Sequence, residues 1–277
     1  MARIAAFLAA SGAVPAIQLG HAGRKASLTR PWEGTRPLPP DDGGWATVGP
    51  SPLPYAEGFC PPRELDQAGI TKVIEAFVTA TSRARDAGFR ILELHGGHGY
   101  LFHQFLSPLS NRRGGPLWRL PGNRARLLLE TIEAMRGEWP GELPLFVRLS
   151  CTDWVEGGFP LPEAIEVVRS LRATGHIDLV DCTSGGNDPR QQIPIHSGYQ
   201  IPFAEAVRRE TGMPTGAVGL IGYPETAEEI IGNGRADVAV IGRALMADPY
   251  WPLRAARALG AQNVPWPVQY ERSNIFN

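Results

Sequence analysis

Several things are scarce in this chain of 277 residues. It has 3 cysteines, and Cys60, Cys151 and Cys182 show neither metal-ligand spacing nor the even count of a disulfide framework. That fits a reducing, cytoplasmic setting, with Cys182 in an apolar strand pattern as a core residue. Charge imbalance is missing too. The formal net charge of -1 carries no electrostatic signature of nucleic-acid binding. No apolar run is long enough for a membrane span. The opening MARIAAFLAASGAVPAIQLG is apolar but interrupted. Its early arginine allows a signal-peptide reading, although a helix ending near Gly12 and then a strand accounts for it better. No GxGxxG and no P-loop occur, which removes support for Rossmann and NTPase folds. HExxH is likewise absent.

What is present is a repeated grammar of amphipathic helix, glycine stop and short apolar strand. Ile70, Val73, Ile74, Phe77 and Val78 recur at helical spacing before Gly88. Ile165, Val168 and Leu171 do so before Gly175 and IDLVDCT, Val207 precedes Gly212 and PTGAVGL, and Ile230 and Ile231 lead to Gly234 and DVAVIG. Strands are expected near 14–20, 89–95, 144–150, 177–183, 214–220 and 237–242. Near-continuous apolar strands separated by helices predict a parallel sheet covered by helices.

The segment His95-Gly96-Gly97-His98-Gly99-Tyr100 follows one of these strands. It places two imidazoles and a phenol at a strand's carboxyl end, where α/β proteins bind ligands. Strand alternation sets Ile91, Glu93 and His95 on one face and Leu92 and Leu94 on the other. Gln18 and Arg148 are polar residues inside apolar strands, and burying them is costly without a partner. For Arg148 a barrel carboxylate such as Glu93 is one candidate. Glu93, His95 and His98 could also be read as the ligands of a barrel metallohydrolase, but Glu-x-His-x-x-His is not a recognised metal spacing; no metal is expected.

HGGHGYLFHQFLSPLSN resembles the HxxHGYL segment of the old yellow enzymes, FMN-dependent ene-reductases on a (β/α)8 TIM barrel. The thermophilic-like bacterial branch is the most similar. QLGHAGRKAS, VRLSCTDWVEGG, DCTSGGN, GAVGLI, VIGRALMADPYWPLRAA and QYER extend the resemblance in family order over nearly the whole chain. It implies a single domain over 1–277, with His95 and His98 holding a substrate carbonyl and Tyr100 donating a proton. It implies Gln18 and Arg148 at the flavin ring, and Gly219, Gly242 and Arg243 at the FMN phosphate. NADPH or NADH would be the hydride donor and an α,β-unsaturated carbonyl compound the substrate. The protein would be a homo-oligomer without nucleic-acid or membrane partners, its C-terminal arm 264–277 sending Arg272 into a neighbouring subunit.

Six strands are two βα units short of a closed barrel, and the resemblance assigns the shortfall to the first two units. A barrel fragment binding flavin weakly or not at all is therefore the rival expectation. The segment 31–62 holds nine prolines with Trp32 and Trp45, and reads as a lid over the barrel mouth. Asn111, Arg113, Asn123, Arg124 and Arg126 keep the family's frame in SNRRGGPLWRLPGNRAR. The family's Asp and Tyr-Gly-Gly-Ser elements are not found there.

Overall fold

The computed structural model describes residues 1–114, 121–262 and 264–276, with the side chains of 121, 122 and 273–276 left aside. Six strands form one parallel sheet: β1 (Ala16–Leu19), β4 (Ile91–Gly96), β5 (Leu145–Ser150), β6 (Leu179–Thr183), β7 (Thr215–Ala217) and β8 (Val238–Ala239). Among the described residues each pairs only with its neighbours in the order β1-β4-β5-β6-β7-β8. Right-handed crossovers between parallel strands that never reverse their order put the crossover helices on one face. This is the arrangement of a (β/α) barrel, and it differs from a doubly wound sheet, whose order reverses at a switch point.

The helices are α1 (Ala2–Ala10), α2 (Gln67–Asp86), α3 (Leu101–Leu106), α4 (Pro121–Arg124), α5 (Arg126–Glu138), α6 (Leu161–Thr174), α7 (Ile201–Thr211), α8 (Pro224–Gly232), α9 (Arg243–Ala247) and α10 (Trp251–Ala258). In α2 the Asp66 carboxylate caps the first turn through Gly69 N–H at 2.7 Å. The helix then buries Ile70, Val73, Phe77, Thr81 and Ala84 along one face. Gly88 turns the chain at φ +86°, a conformation open to glycine, and β4 begins three residues later.

The core lies between the sheet and these helices. Leu92, Leu94, Leu145, Val147, Leu149, Val180 and Cys182 pack from the strands against Leu128, Ile132, Met135, Val168, Leu171 and Val207 from the helices. Each such side chain contributes about 1.5–3 kcal/mol by leaving water. With these residues on the helical side, the alternate positions Gln18, Glu93, His95, Arg148 and Asp181 share the other face. They are neighbours in register: Gln18 opposite Glu93, His95 opposite Arg148, Arg148 opposite Asp181.

All six expected strands form, and the last two are shorter than their apolar runs. Gly219 at φ +131° and Leu220 at φ +54° turn the chain away soon after β7, and α9 starts at Arg243 soon after β8. Within 31–62, single turns at Pro31–Glu33 and Pro40–Asp42 precede β2 (Val48–Gly49), which pairs in parallel with β3 (Arg63–Glu64). Arg24 Nη1 donates to the Leu53 and Pro54 carbonyls at 3.2 and 3.3 Å, and Arg113 Nε to the Pro50 carbonyl at 2.8 Å. The stretch around Leu53 thus lies against the GRKAS turn. No described helix is long and apolar enough to cross a membrane.

Candidate active site

A cavity of about 460 Å³ opens at the carboxyl ends of the strands. Its lining includes His98, Arg148, Thr183, Gln200, Gly219, Gly242 and Arg243. The size falls within the range of about 300–1,000 Å³ found for small-molecule and cofactor sites. A Cβ built on Gly242 would meet nothing within 4 Å, so the backbone there faces open space. One guanidinium belongs to a strand of the sheet and the other to the first turn of α9. Two cations and bare backbone around such a cavity suit a ligand with a polar ring system and a phosphate, and the residues present fit FMN.

His95 and His98 stand beside this cavity with ring centroids 5.1 Å apart, and Tyr100 meets His95 edge-on at 5.0 Å. Both imidazoles stay neutral well below pH 7. Burial, reinforced by the Arg148 cation, lowers the pKa of His95 to about 4, and burial together with His95 lowers that of His98 to about 3. Each ring therefore offers one N–H. His98 Nε2 lies 2.8 Å from Thr183 Oγ1, and the Thr183 hydroxyl donates onward to Gln200 Oε1 at 3.1 Å. The threonine hydrogen being used, its oxygen accepts the proton of Nε2.

Arg148 forms its ion pair with Asp181, at 3.3 Å and without good hydrogen-bond geometry, and not with Glu93. Glu93 instead accepts from the amide of Gln18. The register explains the exchange: Asp181 is directly opposite Arg148, whereas Glu93 is opposite Gln18. Burial drives the Asp181 carboxyl up to about 7 despite Arg148, with Glu93 adding to the rise. Burial also raises Glu93, against the pull of Gln18 and Arg148.

The loop after β4 is held by several groups that sequence reasoning did not single out. Lys25 Nζ donates to the carbonyl oxygens of His98 at 2.9 Å and Gly186 at 2.7 Å. Burial, then the nearby Arg24 charge, lowers its pKa to about 8. Ser150 Oγ accepts the His98 N–H at 2.9 Å. His98 itself has φ +53°, a left-handed conformation that costs a non-glycine residue about 1 kcal/mol and persists only where the surroundings hold it. The sequence does carry a signal for one further site residue. Asp181 is a charged residue in an apolar strand, the same pattern that marked Arg148.

Five of the expected residues do not line the cavity: Gln18, which is bonded to Glu93, His95, which adjoins both His98 and Tyr100, Tyr100 itself, and Trp32 and Arg272. Trp32 is 78% exposed, with the Arg30 guanidinium 6.0 Å from its ring. Arg272 is exposed in the terminal turn, where Tyr270 contacts Tyr250 at 5.4 Å. Glu93, His95 and His98 form no metal-binding cluster among the described residues. Asn111 Nδ2 and Arg124 Nε cap the end of α3 through the carbonyls of Phe105 and Leu106, at 2.8 and 2.7 Å. The span 115–120 between them lies outside the described residues.

Comparison with known proteins identifies the family. Two NADPH dehydrogenases are similar over nearly the whole chain. That of Geobacillus thermodenitrificans (strain NG80-2) is 44% identical, over 96% of this chain and 72% of its own length. That of Geobacillus sp. (strain WCH70) is 42% identical, over 99% and 74%. Among solved structures, 2-naphthoyl-CoA reductase matches with a TM-score of 0.80 at 27% identity, over 93% of this chain. The chain spans only 40% of that larger protein. Morphinone reductase matches with a TM-score of 0.74 at 25% identity, over 97% of this chain and 72% of its own. Residues 2–262 match the family described as NADH:flavin oxidoreductase / NADH oxidase. With its barrel-type sheet, its pair of neutral histidines and a cavity fit for FMN, the chain belongs to that family of oxidoreductases.

Proposed function

We propose that this oxidoreductase moves hydride from NADPH (or NADH), by way of FMN, to the activated C=C bond of an α,β-unsaturated carbonyl compound. The family supports FMN with a reduced nicotinamide, and the relatives' naming as NADPH dehydrogenases favours NADPH. The observation that carries the alkene reading is the pair of neutral imidazoles 5.1 Å apart, with Tyr100 at 5.0 Å from one of them. Bound FMN would supply the relay of one hydride, with its two electrons, between nicotinamide and substrate.

The residues of this chain do the rest. His95 and His98 donate N–H to the carbonyl oxygen, where negative charge grows as hydride reaches the β-carbon. For His98 this requires the substrate oxygen to displace Thr183 from Nε2. Tyr100 delivers the proton to the α-carbon, leaving a saturated carbonyl product and oxidised nicotinamide. Arg148 would face the pyrimidine edge of the flavin, and Arg243 with the backbone at Gly219 and Gly242 would hold the phosphate. The same reading places the enzyme in the cytoplasm as a homo-oligomer, with the exposed Arg272 reaching a neighbouring subunit and the 31–62 segment covering the site.

A second reading has its own observation: among the described residues, β1 and β8 each pair on one side only, so the sheet does not close. A flavin cradle lacking closure would bind FMN weakly and leave the chain non-catalytic. Anaerobic assay of the natively expressed protein with NADPH and cyclohexenone, together with its visible spectrum, separates the two. Flavin absorbance with enone-dependent NADPH oxidation supports the ene-reductase. A colourless chain that neither titrates with FMN nor turns over supports the fragment.

A further inference from the structure

Gly99 lies between His98 and Tyr100, and both of its backbone polar groups are taken by side chains of the helix that follows. Its N–H donates to His103 Nδ1 at 2.9 Å, and its carbonyl accepts from Gln104 Nε2 at 2.7 Å. Both side chains are fully buried. A backbone N–H can only donate, so Nδ1 is the bare nitrogen and the ring proton sits on Nε2. That nitrogen is 2.9 Å from Asp153 Oδ1, off the line of a good hydrogen bond. Asp153 is held in turn by the Ser107 hydroxyl at 2.6 Å and the Phe159 N–H at 2.8 Å, both on Oδ2.

We propose that His103, braced by Asp153, is a positioning residue that fixes the turn carrying His98 and Tyr100. A buried carboxylate and imidazole are costly to desolvate, and apolar residues of similar volume would pack as well. What this pair supplies beyond packing is an acceptor of fixed tautomer, aimed at the peptide joining the two site residues. That peptide needs holding. His98 at φ +53° and Gly99 at φ +69° form a left-handed turn that relaxes when its bonds are removed. Aspartate sets histidine, and histidine sets the Gly99 N–H. The spacing of imidazole and phenol follows from that peptide's orientation.

Two substitutions separate positioning from packing. His103→Asn keeps an acceptor oxygen where Nδ1 was and gives up Asp153. His103→Gln reaches toward Asp153 and gives up the Gly99 N–H. Amide exchange at Gly99, followed by NMR in the full chain, is expected to speed up in His103→Gln and to stay slow in His103→Asn. The turnover arm rests on the ene-reductase reading. There His103→Gln is expected to lose about 10²-fold in enone reduction, the scale of a small misplacement of reacting groups. NADPH-driven flavin reduction and FMN affinity should stay unchanged. His103→Asn should remain within about threefold of the parent. Equal Gly99 exchange in the two variants, or a His103→Asn loss as large as that of His103→Gln, overturns the proposal. If the parent reduces no enone, the ene-reductase reading fails and the exchange comparison alone decides the positioning role. If His103→Gln does not fold, His103→Asn decides it: parental Gly99 protection supports the role and its loss refutes it.

Discussion

Gly99 and Gly186 meet backbone to backbone: a Cβ added to Gly99 would stand 2.2 Å from the Gly186 carbonyl oxygen, and one added to Gly186 would stand 2.6 Å from His98 Cα. The loops after β4 and β6 therefore touch without side chains between them, and Lys25 ties the His98 and Gly186 carbonyls from a third loop. Gly99→Ala should destabilise the chain by about 2 kcal/mol or more, from the clash and from φ +69° together. Gly242→Ala is the contrasting case. Its Cβ would enter open cavity, so urea midpoints should match the parent while FMN affinity, read by fluorescence titration, falls.

Removing either imidazole tests the oxyanion role directly. His95→Ala or His98→Ala should cost about 10²–10³ in enone turnover, the usual loss for one such donor. Flavin content should hardly change. Parental turnover in both single variants would end the assignment.

Tyr100 and Arg148 should divide the two half-reactions. Tyr100→Phe should slow enone reduction and leave flavin reduction by NADPH intact, because a proton donor matters where carbanion character develops. Arg148→Ala should lower the flavin midpoint potential and slow the first half-reaction. It also leaves Asp181 buried without its cation. Stopped-flow absorbance on each variant reads the two steps separately.

The depressed histidines make stability sensitive to acid. Their folded pKa values, about 4 and about 3, lie below the ordinary value of 6.5, so the unfolded chain binds protons first. The stability they permit is fully present above about pH 6.5 and is lost as pH falls toward those folded values. Asp181, raised to about 7, acts with the opposite sign over an overlapping window, losing stability as pH rises from about 4 toward 7. Comparison with His98→Asn cancels the Asp181 contribution, which both proteins share. The variant's urea midpoint should fall less than the parent's between pH 7 and pH 4.5.

How much of this was legible in the sequence depended on distance along the chain. Helix periodicity and glycine stops located all six strands, because those signals are local. A polar residue in an apolar strand marked Gln18 and Arg148, and motif resemblance marked the His95–Tyr100 turn. Pairing partners were not readable: Arg148 meets Asp181, not Glu93, because register is set by the packing of whole strands. The groups that hold the loops, Lys25, Ser150, Thr183 and Gln200, come from four separate places in the sequence. Only the sheet's assembly brings them to His98 and Gly186.

The unreversed strand order has a consequence for how this protein comes apart. Each strand's ladder bonds go only to its immediate neighbours, so the sheet behaves as a nearly one-dimensional stack, as in repeat proteins, whose stability sums over adjacent units. Opening should start at the two ends, where among the described residues β1 has one neighbour and β8 is two residues long, and move inward. Amide protection should form a gradient along the sheet, highest at β5 and β6. The Arg148–Asp181 pair, which joins those two strands, sits at its maximum.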